Sequence, residues 1–209
     1  MLLACGWVSL GGASAQAESA SDWINRGNRY YAEERYQKAI EAYRHALQLD
    51  PTSPVIQYNL GTALARSGSD DDAIKALFQA TQSAEKTVQK RDAWFNLGVA
   101  EAESGLPEAG GQKSVAPMTD PQQQIEKLTE SVKAFRQAIL ADPDDLQAKH
   151  NYELTLEQLE KLRQQQQQQQ KNDQNQKNQD QNQQDDQNKK QQDQQKKDQQ
   201  QSDQQQNDQ

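Results

Sequence analysis

One pattern occurs three times in this chain, as Trp23-Ile24-Asn25-Arg26-Gly27, as Tyr58-Asn59-Leu60-Gly61 and as Trp94-Phe95-Asn96-Leu97-Gly98. The first two glycines lie 34 residues apart, and the third follows after 37. Alanines and one large residue follow the first two occurrences at matching spacing: Ala39, Tyr43 and Ala46, then Ala73, Leu77 and Ala80. The corresponding Phe135 and Ala138 follow the third after 21 additional residues. Self-similarity at a fixed period of roughly 20 to 50 residues is typical of repeat arrays. The pattern predicts an all-α solenoid of helical hairpins.

The order of aromatic, Gly, Ala, aromatic, Ala and Pro resembles the tetratricopeptide repeat. The resemblance implies three repeats, at about 20–53, 54–90 and 91–145, and a capping helix over 146–163. It also implies that Gly27, Gly61 and Gly98 lie within first helices. Glycine there costs about 1 kcal/mol relative to alanine, so we expect it to permit close contact with the second helix.

The third repeat departs from this pattern through an insertion near 105–120. Gly105-Leu106-Pro107 and Gly110-Gly111 predict a loop there, and the chain from Pro121 to Ala141 predicts one long second helix. The second repeat lacks its closing proline and is three residues longer than usual, which places the start of the third at Arg91.

The last 46 residues, 164–209, have a different composition. They contain Gln, Asn, Asp, Lys and one Ser, with no apolar residue. Such a segment cannot bury enough surface to offset the entropy of ordering its backbone, so we predict a disordered tail. The formal charge of the whole chain is -8. An acidic chain without a basic patch argues against nucleic-acid binding.

Residues 1–17 resemble a secretory signal peptide, with a short apolar run and small residues that predict cleavage near Ala15 or Ala17. No Lys or Arg precedes the apolar run, so either the true start lies upstream of Met1 or the signal is atypical. Cys5 is either a lipidation site or part of a discarded peptide. The prediction is a periplasmic protein, membrane-associated only through its partners.

The repeat resemblance also predicts where a partner would bind. In such arrays the first helices line a concave surface, into which their fifth, sixth and ninth positions face. Asparagine amides there can pair with the backbone of an extended peptide, and aromatic rings add apolar contact. The predicted partner-binding groove consists of Ile24, Asn25, Asn28, Tyr58, Asn59, Phe95, Asn96, His150 and Asn151.

Tetratricopeptide domains that bind chaperones hold a C-terminal carboxylate with two asparagines and several basic residues. Asn28 and Asn59 match those asparagines, but Ile24, Asp92 and Asn96 stand at the basic positions. A co-chaperone role is therefore not expected.

The sequence offers no catalytic or metal-binding constellation. His45 and His150 are far apart, and neither has a Cys or Asp at ligand spacing. No phosphate-binding loop or nucleophile motif is present. We therefore predict a protein that is not an enzyme, with no cofactor and no metal.

The array, its last helix Lys149-His150-Asn151-Tyr152-Glu153-Leu154 and the Gln-rich tail together resemble the tetratricopeptide component of bacterial Bat (aerotolerance) operons. That resemblance implies an envelope adaptor beside membrane-anchored von Willebrand A-type proteins, with a role in stress. In the alternative reading the tail acts as a spacer, self-associates, or supplies Asp residues to a partner's metal site.

Overall fold

The computed structural model describes residues 18–106 and 120–207, and over these ranges it contains seven α-helices and no strand. The predicted signal peptide and residues 107–119 of the predicted insertion lie outside them. The helices are α1 (Ala20–Ala32), α2 (Tyr36–Leu49), α3 (Pro54–Arg66), α4 (Asp70–Ser83), α5 (Thr87–Gly105), α6 (Pro121–Ala141) and α7 (Leu146–Asn207).

Three helical hairpins, α1–α2, α3–α4 and α5–α6, pack one after another. Each second helix also contacts the first helix of the next hairpin, and the first helices α1, α3 and α5 are neighbours. This arrangement buries the alanine-rich stripes of the second helices, whose members Ala39, Ala46, Ala73, Ala80 and Ala138 are almost wholly inaccessible. The all-α hairpin solenoid predicted from the repeat is thus confirmed.

The glycines of the first helices are the points of closest approach within each hairpin. A Cβ on Gly61 would lie 2.7 Å from Leu77 Cγ, and one on Gly98 would lie 2.8 Å from Phe135 Cδ1. A Cβ on Gly27 would overlap the Tyr43 ring. Because heavy atoms do not approach so closely, only glycine lets the first helix rest on the large side chain of the second.

Side-chain caps begin some of these helices. Ser19 and Asp22 form a capping box at α1, and the Asp120 side chain accepts a hydrogen bond from Gln122 N at 2.9 Å at α6. Ser69 precedes α4, but its side chain makes no capping bond and instead accepts from Ser67 Oγ at 3.2 Å.

The third hairpin is longer than the other two at both of its helices. Its first helix, α5, begins at Thr87, four residues before the predicted start at Arg91, because no proline or glycine interrupts the added turn. Its second helix, α6, spans the residues expected, Pro121–Ala141. A buried hydrogen bond of 2.7 Å from Ser131 Oγ to the Gly98 carbonyl joins the two helices at their closest contact.

Glu101 is a buried carboxylate at a position where the earlier repeats have Tyr30 and Leu64. Lys127 Nζ of α6 lies 3.3 Å from Glu101 Oε2 and 3.8 Å from Asp71 Oδ1 of α4. Burial raises the pKa of Glu101, the nearby Lys127 lowers it in part, and the net direction is upward. The ion pair therefore offsets only part of the cost of removing Glu101 from water.

The chain divides into two compact units within α7, after Leu156. In the second unit the helix continues through the Gln-rich segment to Asn207. All side chains from 167 to 179 are exposed, as expected for a segment without apolar residues. Gln and Lys favour the helix, and extension adds one hydrogen bond per residue once a helix is nucleated.

The turn inside each of the first two hairpins contains one residue in the left-handed backbone conformation, and that residue differs between the two turns. Gly68 has φ 79°, and Glu34 at the matching place in the first hairpin has φ 59°. A left-handed conformation costs a residue with a Cβ about 1–2 kcal/mol, whereas glycine adopts it freely.

We expect Gly68→Ala to lower the free energy of unfolding by about 1 kcal/mol, because no neighbouring atom lies within 4 Å of the new methyl group and only the backbone conformation is penalised. The reverse change, Glu34→Gly, should raise that free energy by less than about 1 kcal/mol, since glycine also gives the unfolded chain more freedom. Urea unfolding measures both. Equal stability of Gly68→Ala and wild type would contradict the turn geometry.

The Glu101–Lys127 pair predicts a pH dependence of stability with a definite sign. A carboxyl with a raised pKa in the folded state binds its proton more tightly there than when unfolded. Its favourable contribution is therefore full below the ordinary glutamate value and is lost as pH rises through the folded-state pKa. We expect Glu101→Gln to remove this loss, so that the variant gains stability relative to wild type as pH rises from 4.5 upward.

At neutral pH, Lys127→Met should cost about 2 kcal/mol, because it leaves the buried carboxylate unpaired. The double variant with Glu101→Gln should recover most of that cost. Chemical unfolding at several pH values measures all four proteins, and additive effects of the two substitutions would contradict the pairing.

Candidate partner-binding face

Polar side chains on α1, α3 and α5 connect the three first helices along one face. Asn59 Nδ2 donates to Asn28 Oδ1 at 3.3 Å, which links α3 to α1. Asn96 Nδ2 donates to Tyr58 Oη at 2.9 Å and to Thr62 Oγ1 at 3.4 Å, which links α5 to α3. We call these five residues, Asn28, Tyr58, Thr62, Asn59 and Asn96, the ladder, and the side of the helices that carries them the ladder face.

The ladder is anchored to the second helix of the first hairpin. Tyr43, whose ring packs beside Gly27, donates its hydroxyl proton to Asn28 Oδ1 at 2.8 Å. Burial raises the pKa of Tyr43 to about 12, so its hydroxyl remains a donor throughout the physiological range. Asn28 Oδ1 thus accepts two hydrogen bonds, which fixes the orientation of its amide group.

Tyr58 is held at the centre of the ladder. Its ring packs against the second core cluster together with Trp94, and its hydroxyl accepts from Asn96. Burial raises the pKa of Tyr58, and the negative charge of Asp92 on α5 raises it further. Because Asp92 precedes Asn96 by one helical turn, both residues belong to the side of α5 that borders the ladder.

In each asparagine of the ladder, only one of the two polar atoms of the amide group forms a hydrogen bond with another described residue. Among the described residues, no hydrogen bond involves Asn28 Nδ2, Asn59 Oδ1 or Asn96 Oδ1. Asn28 is exposed, and the other two asparagines are half-buried. Three successive first helices therefore present one donor and two acceptors whose side chains are already held by neighbours.

The structure places the predicted groove residues in two groups. Asn28, Tyr58, Asn59 and Asn96 are joined in the ladder. Among the described residues, the remaining five form no side-chain hydrogen bond with the ladder: Ile24, Asn25, Phe95, His150 and Asn151. Ile24 packs against the first core cluster, and the Phe95 ring makes an edge contact with Phe135 at 5.7 Å.

Sequence reasoning missed two members of this network. Thr62 occupies the ninth position of the second repeat, where the first has Asn28, so aligning the repeats could have found it. Tyr43 is recognised in the sequence only as the large residue of the second helix. No sequence signal indicates that its hydroxyl reaches Asn28, because that contact depends on how far apart the two helices lie.

A charged cluster lies at the amino-terminal end of α5, next to the ladder face. Arg91 forms ion pairs with Asp92 and, at 3.5 Å each, with Asp142 and Asp145. Asp145 also caps α7, accepting from Gln147 N at 2.9 Å and Ala148 N at 3.0 Å. One guanidinium thus faces three carboxylates, which leaves the cluster with a net charge of about -2 when every carboxyl is ionised.

The two histidines take part in no metal site in the described part of the chain, which contains no group of three or more potential metal ligands. The His45 ring stacks on Trp23 at 4.4 Å, and the Arg26 guanidinium lies 4.3 Å from the same indole. His150 is exposed on α7. Within residues 18–106 and 120–207, no helix has both the length and the apolar character needed to cross a membrane.

Comparison with known proteins supports the repeat assignment. Residues 27–68 match the TPR repeat family. The chain is 34% identical over 73 residues to a peroxisomal targeting signal receptor of Candida albicans, covering 35% of this chain and 12% of the receptor. It is 36% identical over 67 residues to the TPR repeat-containing protein MJ1428 of Methanocaldococcus jannaschii, covering 32% of this chain and 12% of that protein. The matches thus span about an eighth of these relatives.

Solved structures show the same fold at low identity. The first TPR of Spaghetti (RPAP3), bound to an HSP90 peptide, superposes with a TM-score of 0.53 at 19% identity, covering 71% of this chain and 98% of that one. The Sgt2 TPR domain from Aspergillus fumigatus gives 0.53 at 22% identity, covering 69% and 82%. The protein is a helical-hairpin repeat protein. Its three hairpins form a solenoid with the fold of tetratricopeptide-repeat domains, and residues 27–68 match the repeat itself.

The ladder predicts a measurable coupling between Asn96 and Tyr58. Asn96→Ala and Tyr58→Phe should each cost about 1 kcal/mol, and the double variant should cost less than their sum by about 0.5–1 kcal/mol, because either change alone already removes the hydrogen bond. Asn25→Ala is the matched control, because Asn25 has the same position in the first repeat, is exposed and forms no side-chain hydrogen bond with the other described residues. Chemical unfolding measures the cycle, and strict additivity would contradict the bond.

Proposed function

We propose that this protein is a non-enzymatic scaffold that holds an extended segment of a partner protein on its ladder face. The proposal rests on Asn28, Asn59 and Asn96. In each of these amide groups one polar atom is hydrogen-bonded to another described residue and the other is not. An extended peptide has alternating backbone donors and acceptors that its own structure leaves unpaired. Amide side chains, which offer both kinds of group, can pair with it without regard to its side chains.

The internal hydrogen bonds of the ladder favour such binding. Ordering a free polar side chain on binding costs about 0.5–1.5 kcal/mol. Asn28, Asn59 and Asn96 are already held in place by Tyr43, Tyr58 and each other, so much of that cost is met when the protein folds. Val55, an exposed apolar residue one turn before Tyr58 on α3, adds apolar surface beside the ladder.

The compared proteins support a peptide-binding role. One matched relative is by name a targeting signal receptor, and one superposed structure contains an HSP90 peptide. We carry over to this chain only the general role, the binding of a protein segment, because the matched stretch is a small part of the receptor and the superposed structure shares the fold at low identity.

The setting we propose is the bacterial envelope. The amino-terminal pattern of residues 1–17 supports export to the periplasm, and the last helix and Gln-rich segment support a Bat-type complex. In that setting the partners are membrane-anchored von Willebrand A-type proteins, the association with the membrane is indirect, and the role is in aerotolerance or envelope stress.

Affinity capture from native membranes with the tagged protein tests this function. We expect wild type to retain von Willebrand A-type proteins, and the double variant Asn59→Ala/Asn96→Ala to lose at least about nine-tenths of that capture, because a loss of about 1.4 kcal/mol reduces affinity tenfold. Gln79→Ala, at an exposed position of α4, is the control and should capture as wild type does. Equal capture by all three proteins would refute the role of the ladder.

A variant that ends at Arg163 distinguishes the scaffold from a function of the Gln-rich segment. If the ladder face holds the partner, the shortened protein captures it as well as the full chain does. If capture and assembly size depend instead on residues 164–209, the alternative reading replaces the scaffold. Circular dichroism of each variant verifies that the repeats remain folded.

A further inference from the structure

The ladder face has no positive charge at its centre. Helix α3 contains a single charged residue, Arg66, which is its last. The residues that α3 contributes to the ladder, Tyr58, Asn59 and Thr62, are neutral, as are Asn28 and Asn96. A charged group of a partner at the centre would therefore find hydrogen-bonding groups but no opposite charge.

Charge borders this neutral centre at two places: the exposed Arg66 lies one turn after Thr62 on α3, and the charge beside Asn96 on α5 is negative. Asp92 lies one turn before Asn96 on α5, and its side chain is 38% exposed. The nearby cation, Arg91, is shared by Asp92, Asp142 and Asp145, so it is not available to a further carboxylate. A carboxylate brought to this end of the ladder would be repelled, whereas an ammonium or guanidinium group would be attracted.

We propose that the ladder face takes an internal, extended protein segment in which a Lys or Arg side chain pairs with Asp92, and that it rejects a free C-terminal carboxylate. This inference rests on the proposed function and specifies the chemistry of the partner. The segment's backbone pairs with the free edges of Asn28, Asn59 and Asn96, and its cationic residue lies over the amino-terminal end of α5.

Two libraries of short random peptides displayed on phage test the proposal against the immobilised full chain. In one library the peptide is internal, with fixed sequence on both sides, and in the other it ends in a free carboxylate. We expect the internal library to yield binders enriched in Lys or Arg at one position. The library with free carboxylates should yield fewer binders.

The affinity of a selected cationic peptide for variants then identifies the contact. Asp92→Asn should weaken binding about threefold to tenfold, the effect expected for one partly exposed ion pair. Glu41→Gln, which removes one exposed negative charge from α2, is the matched control and should leave affinity unchanged. Because the contact is electrostatic, added salt should weaken binding to wild type more than to Asp92→Asn.

The outcomes separate the inference from the function on which it rests. Internal binders without a basic preference, a predominance of free carboxylates, or equal weakening by Asp92→Asn and Glu41→Gln would each overturn the inference while leaving a peptide-binding face. Failure of both libraries to yield any binder sensitive to Asn59→Ala/Asn96→Ala would overturn the inference and the proposed function together.

Discussion

The close approach of paired helices at three glycines is the constraint on which the rest of this structure depends. Gly27, Gly61 and Gly98 each leave the space that Tyr43, Leu77 and Phe135 fill. The tight spacing buries the alanine stripes of the second helices and sets the distance over which side chains of neighbouring first helices meet. The Asn59–Asn28 and Asn96–Tyr58 hydrogen bonds require that spacing, because an asparagine side chain is short and cannot adjust its reach.

The sequence predicted the fold well because the constraint is local and repeated. A glycine in the middle of a first helix and a large residue in the second helix indicate the same contact three times, and the structure contains all three. The spacing along the chain is 16 residues in the first two hairpins and 37 in the third, which has the insertion. The four ladder residues on the predicted list also follow from the repeat, since their positions on the first helices are set by the helical period. The hydroxyl of Tyr43 was not predictable in this way, because its bond to Asn28 depends on distances between helices that no spacing in the sequence encodes.

Two features of the structure do not follow from the repeat pattern, for different physical reasons. Glu101 stands where the repeat favours a large apolar or aromatic residue, and only its distance from Lys127 on α6 shows how the buried charge is accommodated. The Gln-rich segment forms the continuation of α7 to Asn207. Composition indicates whether a segment can bury apolar surface. It does not indicate whether residues with good helix propensity extend a helix that has already begun. A helix that is polar on every side gains nothing from packing, so its stability comes from its own backbone and side-chain pairs alone.

The buried bond between Ser131 and the Gly98 carbonyl has a consequence for how this chain can be altered. It fixes the third hairpin from within, although α5 ends at Gly105 and α6 begins only at Pro121. The entropy of closing a connection grows slowly with its length, by about 0.6 kcal/mol for each doubling. The two helices should therefore stay paired when the connection between them is lengthened, because the Ser131–Gly98 bond holds the hairpin whatever the length of that connection.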